Sequence, residues 1–282
     1  MDKGGGMTSA DVVARVKRAL AASRVGHTGT LDPMATGVLP IVLGEGTKLA
    51  PFLAADDKTY EGELELGFET DTWDVEGTVL AKRSWAGIAP EQVRAGVASL
   101  VGELAQVPPM HSAIRQGGRR LYDLARAGVT VERPPRRVRI DCFELTTVEL
   151  PRARFVVSCS KGTYVRSLVH DLGEALGCGA TLVALRRTRA GRFTLADAVS
   201  LENVAQAVPS RLISLPDALS HLPGVELSAD DVVRARQGKP LLAPPGHAAG
   251  DILRLLGIAG ELVAVVEVQG ERLVYLRGFR PM

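Results

Sequence analysis

Residues 59–66 read TYEGELEL, an alternation that puts Tyr60, Gly62, Leu64 and Leu66 on one side of a strand and Glu61, Glu63 and Glu65 on the other. A half-buried strand of this kind needs a sheet around it and a core against one face. At 282 residues with 46% hydrophobic content, the chain is long enough to supply both, and 23% charged residues exclude wholesale disorder. Further elements can be read in order. Thr8 or Ser9 caps a helix expected to run to Ser23, with Val12, Val13, Val16 and Leu20 at helical spacing. VLPIVLG is of strand type, GEGTKLAPFLA reads as a short helix ending near Ala55, and a second strand falls near Val79. Pro90 opens the helix PEQVRAGVASLVG, and a basic helix lies around Leu121–Ala127. Strands are expected at about 136–148 and 153–160, followed by an amphipathic helix with Leu168, Leu172 and Leu176 on one face, closed by Gly177.

From about residue 209 prolines become frequent, and ILRLLGIA, ELVAVVEV and RLVYLRGF form three strand-like runs divided by glycines. We therefore expect an α+β fold: a mixed, mostly antiparallel sheet flanked by helices over residues 1–215, and a small C-terminal β domain over 216–282. No apolar run approaches the roughly 18 residues of a membrane span, and the N-terminal stretch has no signal-peptide core, so a soluble cytoplasmic protein is expected. Cys142, Cys159 and Cys178 form no CxxC pair, which argues against a disulfide framework or a zinc knuckle.

The net charge of +2 conceals an asymmetry. Residues 56–77 carry nine acids against Lys58 alone, whereas 115–139 carry eight arginines against Asp123 and Glu132. A second basic cluster follows at Arg186, Arg187, Arg189 and Arg192. Guanidinium groups bind phosphate in a planar, bidentate manner, so two such clusters point to a polyanion, nucleic acid above all. The stretch RVGHTGTLDPMATGVLP, residues 24–40, places a single carboxylate, Asp32, in a loop bounded by glycines and prolines. Taken alone, Asp32-Pro33 is a capped turn and His27 a loop histidine.

Four blocks change that reading. GHTGTLDPMATGVLP at 26–40, DKTYEG at 57–62, QVPPMHSAIRQGGRRLYDLAR at 106–126 and CSKGTYVRSLVHDLGEALGCGATLVALRR at 159–187 occur in the order and spacing of a known family. In these blocks the chain resembles the TruB-type bacterial tRNA pseudouridine synthases, and its tail is similar to their small PUA-like β domain. The resemblance implies a pseudouridine synthase fold and isomerisation of uridine 55 in the tRNA T arm by base flipping, glycosidic bond cleavage and rejoining through C5. No metal or other cofactor is implied, the partner is the T stem-loop, and a monomer is expected. It further implies that Asp32 is the catalytic aspartate, acting as nucleophile or as base toward the sugar. By the same resemblance, Tyr60 stacks on the uracil and can take the C5 proton, Arg166 pairs with Asp32, Tyr164 and Leu185 line the nucleoside pocket, and His27 helps hold the loop with its base turned out. The chain departs from the family pattern at its start, where Gly4 stands in place of proline, so the first strand of the sheet is expected to be short or lost.

Two rivals come from other classes. A non-catalytic RNA-binding module or tRNA-folding chaperone would also use the arginine clusters. A serine acyl-enzyme hydrolase is suggested by Ser158–Lys161, SCSK, although neither SDN nor KTG accompanies it.

Overall fold

The structure, a computed structural model, describes residues 1–112 and 114–280. Ala113 of the third block and Pro281 and Met282 of the expected tail domain lie outside them. In chain order the elements begin with β1 (Asp2–Lys3), α1 (Ser9–Ala19), β2 (Val25–His27), β3 (Thr36–Val38), β4 (Ile41–Leu43) and α2 (Ala50–Ala54). There follow β5 (Lys58–Leu66), β6 (Phe68–Thr70), β7 (Val79–Lys82), α3 (Pro90–Ser99), β8 (Gly102–Gln106), β9 (Arg115–Gln116), β10 (Arg119–Arg120) and α4 (Leu121–Arg126). The long strands β11 (Arg136–Glu149) and β12 (Arg152–Cys159), helix α5 (Val165–Leu176), β13 (Ala180–Ala190) and β14 (Phe193–Thr194) come next. The remainder comprises α6 (Val204–Arg211), α7 (Leu215–Ala218), β15 (Gly224–Glu226), α8 (Ala229–Arg236), β16 (Leu241–Leu242), β17 (Ile252–Leu256), β18 (Leu262–Gln269) and β19 (Arg272–Gly278).

The chain divides into two compact units. Met1–Val12, Gly29–Pro40 and Ala55–Ser200 form the first; Val13–Thr28, Ile41–Ala54 and the residues from Leu201 onward form the second. The first is built on a sheet of order β1-β3-β13-β5-β12-β11-β8, with β14 paired to β13. Every pair along it is antiparallel except β3 with β13. The alternating strand thus becomes the middle of the sheet, with Tyr60, Leu64 and Leu66 buried as the pattern requires. Helix α5 places Leu168, Val169 and Leu172 in the core, each fully buried leucine contributing about 2 kcal/mol. Gly173 lets α5 approach β13, since a Cβ there would collide with the backbone nitrogen of Ala180. The helix ends at Gly177, whose φ of 75° is left-handed.

Several expectations need adjustment. Helix α1 stops at Ala19 rather than Ser23, and Ala21 has already turned to φ 48°. VLPIVLG is two strands that join different sheets, β3 against β1 and β13 and β4 against β2, parted at Leu39-Pro40 where proline can donate no ladder bond. The first strand is not lost: β1 is two residues long, with Asp2 opposite Val38 and Lys3 opposite Gly37.

In the second unit a five-stranded sheet of order β15-β17-β18-β19-β16 covers α8, with Val232, Ala235, Leu253, Leu255, Val266 and Leu273 in its core. Helices α7 and α8 lie amid the prolines, where only strands were expected; Ser214 and Ser228 cap them by accepting from the amides of Asp217 and Asp231. Among the described residues no helix is long and apolar enough to cross a membrane.

Candidate active site

Asp32 lies in a loop of the first unit whose backbone is held from three directions. Ser9 Oγ accepts from the Leu31 amide at 2.9 Å and donates to the Leu31 carbonyl at 3.1 Å. Lys3, 1% exposed, donates its ammonium to the carbonyls of Gly4, Pro33 and Ala35 at 3.0, 3.0 and 2.6 Å. Arg187, also 1% exposed, donates from Nε to Val38 O at 2.7 Å and from Nη2 to Gly29 O at 3.1 Å. The side-chain partner of Asp32 among the described residues is Arg166.

Arg166 sits in the first turn of α5 and is buried. Its Nη2 donates to Asp32 Oδ1 at 3.0 Å, and its Nε is 2.9 Å from Asp32 Oδ2 without hydrogen-bond geometry, so one hydrogen bond and a second close ion-pair contact join the two groups. The same guanidinium donates to the carbonyls of Thr72 and His111 at 2.8 and 2.9 Å. A second carboxylate, that of Asp74, lies 3.3 Å from Nη1, and it also accepts from Thr72 Oγ1 at 2.6 Å and from the Glu76 amide at 3.1 Å. Burial pushes the Asp32 pKa above the ordinary carboxylate value; Arg166 opposes the rise and Asp74 adds to it.

Tyr60 on β5 is paired with Val157 on one side and with Arg187 on the other. Its phenol is buried, which raises its pKa, while Arg187 works in the opposite sense. Leu185, buried on β13, is opposite Gly62 on β5. Tyr164 precedes α5 and is fixed by Gln106, whose side chain accepts from the Tyr164 amide at 2.7 Å and donates to its carbonyl at 3.1 Å. Burial raises the Tyr164 pKa too, and the Asp32 carboxylate adds to the rise at both phenols. Asp32, Tyr60, Tyr164, Arg166 and Leu185 thus all belong to the first unit. His27 belongs to the second, on β2 opposite Ile41.

The site includes residues that the sequence does not single out. Asp74 reads there as one member of an acidic run, Lys3 carries no motif, and Arg187 reads as one of a group of surface arginines. The buried position of Arg187 corrects that grouping, and Arg186 is occupied by Asp2 at 2.8 Å. In the larger cluster, Arg139 pairs with Asp57 and Asp141, while Arg115, Arg119, Arg126, Arg136 and Arg137 are exposed without an ion-pair partner among the described residues; the Arg120 side chain lies outside them. Ser158 is within β12 rather than at a helix start, and its hydroxyl is 3.0 Å from that of Thr59, which removes the basis for an acylating serine. Among the described residues no three His, Cys, Asp or Glu side chains are grouped to hold a metal ion.

Comparison with known proteins decides the family. Residues 17–165 match the model of the N-terminal domain of the TruB family of pseudouridylate synthases, and residues 166–214 match that of the tRNA pseudouridylate synthase B C-terminal domain. The chain belongs to the TruB family. It is 47% identical over 293 residues to tRNA pseudouridine synthase B of Ralstonia nicotianae, covering 98% of this chain and 93% of the relative. To that of Geobacter sulfurreducens it is 45% identical over 279 residues, covering 95% and 91%. Among solved structures, a Cbf5-Nop10-Gar1 complex is similar with a TM-score of 0.76 at 26% identity, over 99% of this chain and 84% of the other. An H/ACA RNP bound to a substrate RNA containing 2'-deoxyuridine gives 0.74 at 25%, with coverage of 99% and 84%. The TruB blocks that carried the resemblance are the segments that supply Asp32, Tyr60, Tyr164, Arg166 and Leu185.

Proposed function

We propose that this TruB-family chain converts uridine 55 in the T arm of tRNA to pseudouridine, with Asp32 as nucleophile. The carrying observation is the carboxylate of Asp32, hydrogen-bonded by Arg166 Nη2, 2.9 Å from Arg166 Nε and still 33% exposed. The guanidinium opposes the rise in pKa that burial imposes and fixes the carboxylate's direction, and the exposed part is what a flipped nucleotide would meet. The reaction is redox-neutral: the N1–C1' bond breaks, the uracil turns, the bond that Asp32 forms as nucleophile is broken again as C5 joins C1', and the proton on C5 leaves for N1 by way of a base. Tyr60 is assigned that proton and the stacking of the uracil, Tyr164 and Leu185 the walls of the pocket, and His27 the support of the opened T loop.

The exposed arginines of segment 115–137 are assigned to phosphates, as sequence-independent affinity requires. We further assign catalysis to residues 1–215 and an auxiliary RNA-binding role to the β domain at 216–282, and expect a cytoplasmic monomer. The test is turnover on a tRNA transcript lacking modifications. The parent should place pseudouridine at position 55 alone, and Asp32→Asn should place none. Product from the variant would remove Asp32 from the mechanism; a parent that binds without product would instead favour an RNA-binding or tRNA-folding module.

A further inference from the structure

Arg166 is gripped on two sides of a single residue, Trp73. Thr72 gives it a backbone carbonyl and Asp74 a side-chain carboxylate, so this loop bears on where the guanidinium can point. Trp73 itself has φ 63°, a left-handed conformation that a bulky aromatic residue adopts only at a cost. Two contacts of its ring hold it there. The ring stacks on His170 at a centroid distance of 4.2 Å and an angle of 6°, and Arg133 Cζ lies 5.8 Å from its centroid. His170 is four residues after Arg166 in α5, hence on the same face of that helix.

Arg133 belongs to the excursion 107–135 between β8 and β11, which carries Arg115, Arg119 and Arg126 on its outer part. Arg133 closes the base of this excursion, donating from Nη1 to Pro108 O at 3.1 Å. The excursion also reaches α5 directly, through the His111 carbonyl on Arg166 and the Val107 carbonyl on Ser167, both at 2.9 Å. Arg133 Nε and His170 Nδ1 are buried without hydrogen-bond partners among the described residues. The contact on Trp73 is therefore one of ring stacking and cation–π attraction.

We propose that Trp73 is a positioning residue that couples the seating of the basic excursion 107–135 to the orientation of Arg166 toward Asp32. When the excursion settles on RNA phosphates, the load on Arg133 is passed through the Trp73 ring to Thr72 and Asp74, and the guanidinium is set for reaction. This rests on the function proposed above, and the experiment separates the two. Turnover on the tRNA transcript is measured for the parent, Trp73→Gly, Arg133→Met, the double variant and Trp73→Phe, each checked for an unchanged melting temperature. Glycine suits φ 63° but has no ring; phenylalanine restores one.

The expected result is a fall in kcat of about tenfold for Trp73→Gly and for Arg133→Met, with KM changed less than about threefold because affinity is spread over many phosphates. The double variant should be no worse than the weaker single, as members of one linkage are non-additive, and Trp73→Phe should recover most of the loss. A kcat for Trp73→Gly close to the parent's, multiplying effects in the double, or a change confined to KM would overturn the proposal. Trp85 is the other tryptophan, so in Trp85→Phe the emission reports Trp73 alone. Adding the transcript should shift it, and Arg133→Met should abolish the shift; emission indifferent to RNA would overturn the coupling even if the parent proved inactive and the function reading had failed.

Discussion

Asp32→Asn should abolish turnover and yet leave the protein as stable as the parent or slightly more so at neutral pH. Burial lifts the folded-state pKa of Asp32 above its usual value in spite of Arg166. A carboxyl whose pKa is higher in the folded than in the unfolded state binds more protons when folded throughout the window between the two values. Stability therefore falls as pH rises through that window, and the whole loss is present above it. Above that window the ionised carboxylate is a cost to the fold that an amide of the same shape does not incur. The substituted asparagine would still offer its Oδ1 to Arg166 Nη2, and Arg166 keeps Asp74 at 3.3 Å, so no buried cation is stranded. Because 33% of the Asp32 side chain is exposed, water screens the charge and keeps the gain to a few degrees of melting temperature. The assay is thermal unfolding of both proteins over a pH series that starts below the ordinary aspartate pKa of about 3.9 and runs to about pH 8. The difference should open as pH rises and close on acidification. A variant weaker by about 3–5 kcal/mol, as when a buried pair is broken outright, or a difference independent of pH, would refute the reasoning.

Asp74→Asn should behave in the opposite way: both partners are 4% exposed, so removing this charge-assisted pairing should cost about 2 kcal/mol and lower both melting temperature and turnover. An unchanged melting temperature would show that Asp74 contributes nothing to holding Arg166. Gly37→Ala should lower stability by more than about 2 kcal/mol, since φ is +99° and the new Cβ would collide with the Arg187 carbonyl oxygen; chemical denaturation measures it. Reversing Arg115, Arg119, Arg126, Arg136 and Arg137 to Glu should weaken tRNA binding and flatten its dependence on log salt, by about 0.7 to 0.9 for each phosphate no longer engaged. A slope equal to the parent's would take this segment out of the RNA interface.

The fold was legible where one period dominated. TYEGELEL specifies a strand with a buried and an exposed face, and LVHDLGEAL a helix with a buried stripe ended by Gly177, because side-chain direction in each is set by local geometry alone. It was less legible where a short apolar run crossed a proline. Nothing local says that Val38 and Ile41 must part into different sheets, since the partners of β3 and β4 come from distant segments. The helices after residue 209 were hidden for another reason: short helices between prolines owe their stability to caps and packing more than to propensity, and their Ser-x-x-Asp caps, Ser214 with Asp217 and Ser228 with Asp231, were the available signal.

In the site, the loop with Asp32 and the helix with Arg166 can be paired from the sequence because both lie in blocks of the family resemblance. Asp74 and Arg187 could not be, and the cause is that charge in sequence is ambiguous between surface and interior. Arg186 and Arg187 are adjacent, which suggests a common basic patch, but on a strand adjacent residues face opposite ways. Leu185 and Arg187 share a face, and Leu185 is buried. Reading ALRRT at period two would have turned Arg187 inward, beside Tyr60, and left Arg186 on the other face for Asp2. An inward arginine on a central strand must find acceptors, and with no carboxylate paired to it among the described residues it takes the carbonyls of Gly29 and Val38. Those carbonyls flank the loop of Asp32, so the arginine that resembled a phosphate ligand is part of the frame that aims the carboxylate.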